Sequence, residues 1–150
     1  MLFEKFAAKG NEWINKIAQL GEMPEDQAGR ILKATLHALR NRLTIEESFH
    51  LMSQLPMALK GVYVDGWKLT QCFERVRHLH EFLNEIREMN GTTAAYDLGN
   101  DDKAKDRVGI VFQVMQEYVS AGEMQNVMSQ FSEEIRHFIQ MQKREQPTVF

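Results

Sequence analysis

The sequence predicts an all-α fold, and three observations predict it. Apolar residues recur at helical rather than alternating spacing along most of the 150 residues. The three prolines and nine glycines fall mostly at the edges of those periodic segments. Two capping signatures, Thr44 with Glu47 and Ser120 with Glu123, stand 76 residues apart. No segment reads as a strand of period two.

The elements follow in order. Phe3, Phe6, Trp13, Ile14, Ile17 and Leu20 predict a first helix over about Leu2 to Leu20, weakened by Gly10 and stopped at Gly21. Pro24 suits the first turn of the next helix, because its missing N–H has no partner there in any case. Leu32, Leu36, Leu39 and Leu43 form one face of that second helix. The Thr44–Glu47 box opens a third helix to about Leu55, and Pro56 opens a fourth to about Tyr63. Asp65-Gly66 is a turn. A long fifth helix begins near Leu69 or Thr70, runs through Phe73, Val76, Leu83 and Ile86, and ends at Asn90-Gly91. Thr92 to Asn100 reads as a loop. Asp101 and Asp102 open a sixth helix through Val108, Phe112, Met115 and Val119. The Ser120–Glu123 box opens a helix to about Phe131, and a last one covers Glu133 to Gln142.

Shifting the chain by 76 places Leu32, Leu36, Leu39, Leu43, Leu51, Leu55 and Leu59 on Val108, Phe112, Met115, Val119, Val127, Phe131 and Ile135. It also pairs Met52-Ser53-Gln54 with Met128-Ser129-Gln130. Identity elsewhere is low, but caps and apolar positions keep register together. The expected architecture is two tandem repeats of three to four helices, about 1–76 and 77–142, packed as one helical bundle or HEAT-like domain. Residues 143–150 form a polar tail.

Composition narrows the function classes. The 18 Lys+Arg against 21 Asp+Glu leave a net charge of -3, which gives no bulk attraction to nucleic acid or anionic lipid. No apolar run approaches the roughly 18–20 residues of a membrane span. Met1 to Ala8 lacks the basic-then-apolar order of a signal peptide. The one cysteine, Cys72, cannot form an internal disulfide, so a reducing, cytoplasmic setting is expected.

The series Leu36-His37-Ala38-Leu39-Arg40-Asn41-Arg42-Leu43, Gln54-Leu55-Pro56, Leu59-Lys60-Gly61-Val62-Tyr63 and Gly66-Trp67 resembles a bacterial family catalogued as domain of unknown function 2267. The likeness is strong over Ile31 to Trp67 and diffuse over Asp101 to Phe138. It implies an all-helical bacterial protein. It implies no activity and transfers no site residue.

Several constellations invite chemistry. Glu47-x-x-His50 and Glu134-x-x-His137 have the spacing with which helical bundles hold a metal pair, which makes these four the metal candidates. The 76-residue shift pairs His50 with Asn126 and Glu134 with Ala58, so the motifs are not each other's equivalents, and solvated helix faces are the plainer reading. Glu74, His78, Glu81 and Glu85, with His80 beside them, read as a charged, exposed face. Arg30, Lys33, His37 and Arg40 form a basic stripe roughly 110° from the leucine stripe. It suits an anionic ligand or, more simply, solvent.

Tyr63 and Trp67 have the size and rigidity of interface anchors. The glycines around them favour a structural corner instead, with Trp67 buried and sealing the turn. Cys72 reads as a small buried hydrophobe. Thr148-Val149-Phe150 is a faint carboxylate-terminal ligand signal. Nine methionines, among them Met52, Met57, Met115, Met124 and Met128, fill gaps or line a groove for another helix. No nucleophile elbow, phosphate loop or dinucleotide fingerprint occurs in the sequence, and no cofactor is implied. The leading expectation is a non-catalytic helical interaction module that binds a protein partner or itself. The alternatives are a metal-binding or di-metal helical protein, and a weak nucleic-acid or anionic-ligand binder.

Overall fold

A computed structural model of the chain describes residues 1–69 and 75–143. The expectations placed on Thr70, Cys72, Phe73, Glu74 and the Thr148-Val149-Phe150 terminus lie outside the described residues. Within them every regular element is helical: α1 (Glu4–Gly21), α2 (Glu25–Arg42), α3 (Ile45–Ser53), α4 (Met57–Val64), α5 (Leu79–Asn90), α6 (Ala94–Asp97), α7 (Asp101–Tyr118), α8 (Ala121–Met128) and α9 (Glu133–Met141). None of these helices is long and apolar enough to cross a membrane.

Local chemistry explains most boundaries. Glu22 ends α1 in the left-handed conformation, its N–H donating to the carbonyls of Ala18 and Gln19. Pro24 caps α2 and Pro56 caps α4. Thr44, Ser120 and Ser132 cap α3, α8 and α9 through their hydroxyls, and Asn100 caps α7 through its amide. Gly66 and Gly91 take the positive φ that their turns need.

Two boundaries correct the sequence reading. The fifth helix starts at Leu79, not near Leu69, and Arg75–Arg77 are irregular. His78 caps it, with its own N–H donating to the Glu81 carboxylate. The expected loop over Thr92–Asn100 contains a 3-10 turn at Gly91–Thr93 and the short α6. Asp97 holds that segment together. It accepts from both Arg30 Nε and Arg30 Nη2 at 2.9 Å, from Asn90, and from Thr93 at 2.7 Å.

Packing centres on α2, which touches α1, α4, α5, α6 and α7. That surrounds a helix read as amphipathic. Gln27, Thr35, His37 and Arg40 are buried along with its leucines. Gly10 is what lets α1 approach α4, since a Cβ there would stand 3.1 Å from the Ala58 Cβ. One contiguous apolar core runs from Trp13 and Ile17 through Leu36, Phe82 and Phe112 to Ile139. Met52, Met115, Met124 and Met128 belong to it, and Met57 is exposed. Met124 and Met128 also line a groove between α7, α8 and α9.

Candidate functional site

Among the described residues, a compact group of metal-capable side chains forms where α3 meets α8. Thr44 Oγ1 accepts from the Glu47 N–H, and Ser120 Oγ accepts from the Glu123 N–H, both at 3.2 Å. The second bond of each expected capping box is made differently. The Ser120 N–H donates to Gln54 Oε1 at 2.7 Å, and the Thr44 N–H donates to Gln130 Oε1 at 2.9 Å. Each amide also reaches the capping hydroxyl, Gln54 on Ser120 and Gln130 on Thr44. A glutamine from the opposite helical hairpin therefore does the work expected of each glutamate.

That substitution leaves both carboxylates to turn inward. Glu47 and Glu123 keep 9% and 7% of their surface. One oxygen of each, together with a ring nitrogen of His50, all lie within 4.8 Å of one another. His50 Nδ1 stands 3.9 Å from Glu47 Oε2. Oε1 of Glu47 and Oε1 of Glu123 are buried with no hydrogen-bond partner. Two ionised carboxylates in so small a space repel, and neither Oε1 is open to solvent. Burial and the neighbouring Glu47 carboxylate push the Glu123 carboxyl up to about 7. Glu123 therefore holds its proton up to close to neutral pH.

The four residues singled out for a metal do not converge. Glu134 pairs with His78 at 3.0 Å, His137 lies exposed on α9, and neither joins the α3–α8 cluster. Glu123 takes their place. The signal for it was the 76-residue shift, which sets Glu123 on Glu47 and Asn126 on His50. The charged face proposed for the fifth helix is likewise dispersed. His78 binds Glu134, His80 binds Asp101, and Glu85 is buried against Arg42 and Asn41.

The basic stripe is built into the fold rather than laid on its surface. Arg30 grips Asp97 through two bonds, and Lys33 stands 3.9 Å from Asp65. His37 Nε2 donates to the Val62 carbonyl at 2.7 Å, which fixes the tautomer, and burial lowers its basicity. Arg40 donates to the carbonyls of Tyr63 and Asp65 at 2.8 and 2.6 Å. It caps the negative end of α4. Of the four, Lys33 alone is exposed.

The corner is structural in one of its two anchors. Tyr63 is fully buried, its hydroxyl 2.7 Å from Ser48 Oγ, so it offers nothing to a partner; burial pushes that hydroxyl up to about 12. Trp67 is half-buried, its ring edge-on to Tyr63 with centroids 5.8 Å apart. It leans on the core without sealing it, because the chain leaves the corner into residues with exposed side chains at Lys68 and Leu69.

No curated protein matches the chain. Residues 10–138 match the family described as uncharacterized conserved proteins of domain of unknown function 2267. The match extends past Ile31–Trp67, where the resemblance was strong, through the second capping box and nearly to the end of α9. On that match, the chain belongs to the domain-of-unknown-function 2267 family.

Proposed function

We propose that the chain is a non-catalytic helical interaction module made of two like halves, about 1–76 and 77–142, related by a local two-fold axis. Reciprocity supports the architecture. Gln54 clasps Ser120 as Gln130 clasps Thr44. α2 packs on α5 as α7 packs on α1, and α2 and α7 begin 76 residues apart with 18 residues each. In a head-to-tail solenoid unlike surfaces meet; here like surfaces do, so a two-fold pairing replaces the HEAT-like stack.

One observation carries the interaction role. Ile45 and Phe49, one turn apart on α3, are 50% and 61% exposed. Their counterparts on α8 are Ala121 and Gln125. An apolar face kept on one half and absent from the other is surface that folding does not use, and a protein partner is what it suits. The test is affinity capture from the source lysate, reconstitution with each purified candidate, and sedimentation of the chain alone. The doubly substituted Ile45→Ser/Phe49→Ser chain should keep its melting temperature and lose the captured or self-associated species. A partner held equally by that variant, or no association by the unsubstituted chain, overturns the reading.

A further inference from the structure

We propose that Glu47, His50 and Glu123 form a binding site for one divalent transition-metal ion of the zinc or manganese class, at the seam between α3 and α8. The three ligand atoms lie within 4.8 Å of one another. Around a bound zinc, with ligands at ~2.0–2.2 Å, they would stand roughly 3–3.5 Å apart. Side-chain movements of about an ångström close that gap.

A cluster of acidic residues alone is common, and a second observation sets this one apart. The Oε1 atoms of Glu47 and Glu123 are buried and accept no hydrogen bond, on residues that keep only 9% and 7% of their surface. A buried carboxylate oxygen left without a donor is costly, and a cation satisfies both at once. The same shell offers one alternative, the Glu123 proton below about pH 7, which a bound metal ion displaces. Asn126, at the position that matches His50, carries no charge. No lysine or arginine pairs with either glutamate among the described ion pairs.

The donor set selects the ion. Two carboxylates balance the charge of a divalent cation. The imidazole favours zinc, iron or manganese over calcium and magnesium, which prefer oxygen throughout. The His50 side chain is 56% exposed, so ions and water reach the site from solvent. Three protein ligands leave at least one position for that water. The site is asymmetric because one half supplies His50 where the other supplies Asn126.

The test is calorimetric titration of Zn2+ and Mn2+ into the full chain, purified without a histidine tag and stripped with a chelator. The native chain should take up one ion and melt at a higher temperature with it. His50→Asn installs the residue that the second half already carries there. Glu123→Gln removes one charge at constant shape. Each should weaken binding about tenfold or more. His137→Asn should leave it unchanged. Should Glu123→Gln melt early without metal, His50→Asn decides alone, since an exposed side chain is not needed for folding. The absence of saturable uptake, unaltered affinity in His50→Asn, or loss of binding in His137→Asn overturns the assignment.

Discussion

Asp97 shows how one carboxylate organises a segment with little apolar content of its own. Burial alone would raise its pKa. The bonds from Arg30, Asn90 and Thr93 outweigh that and hold the carboxyl at about 2, against an ordinary 3.8. A folded pKa below the unfolded one stabilises the fold above the unfolded value, and the benefit is lost as pH falls through about 4 towards 2. A shift of that size is worth about 2 kcal/mol at neutral pH. Urea midpoints measured from pH 7 down to pH 2 should fall steeply in that acid window. Asp97→Asn should be less stable at pH 7 by about 2 kcal/mol and should show a flatter acid limb. Parallel acid limbs in the two proteins would show that Asp97 is not the group responsible. Glu123 has the opposite sign: its raised pKa makes the α3–α8 contact costlier as pH rises from 4.5 to about 7.

At the scale of the element, α3 and α8 start with caps that belong to both halves of the chain. A serine or threonine cap alone is worth about 1 kcal/mol. Here the same hydroxyl and N–H also receive an amide from the far side. Ser120→Ala should therefore cost about 1–2 kcal/mol. Gln54→Ala should be destabilising in the native background and much less so beside Ser120→Ala. A double-mutant cycle measured by denaturant unfolding reads this as a coupling of about 0.5–1.5 kcal/mol. Additive effects would show that the two residues do not act on one another. The capping boxes were legible in the sequence because a hydroxyl, two residues and a glutamate are a local pattern. The exchange of partners was not, because Gln54 and Ser120 are 66 positions apart and nothing local ties them.

The whole molecule depends on contacts that cross its midpoint. α2 finds α5 and α7 beyond that point, and Trp13 of α1 stacks on Tyr118 of α7 with centroids 5.0 Å apart. A piece covering residues 1–76 would expose Leu36, Leu39 and Trp13 to water, and half a chain of this length has little surplus core. We expect the full chain to melt in one transition, with the 1–76 fragment giving no cooperative melt as a monomer by circular dichroism. A monomeric fragment with a sharp transition would show that the halves are independent domains.

The helical class, most helix ends and the family were legible from the residues alone. Those follow from apolar spacing and from residues that satisfy backbone groups a few positions away, and both are local physics. The 76-residue shift also makes Glu47 and Glu123 equivalent positions, without bringing them together. Which polar residues face inward depends on how the helices pack. His37 and Arg40 sit on a stripe that looks solvated until α4 folds over it and offers the carbonyls of Val62, Tyr63 and Asp65. Tyr63 looks like an anchor until Ser48 takes its hydroxyl in the core. Glu134 and His137 match a metal spacing that the packing of α9 leaves scattered, and the cluster that does form draws on helices 76 residues apart. Periodicity reports the faces of one helix. The partner that covers a given face is fixed by long-range packing, and the burial of a charge depends on that partner.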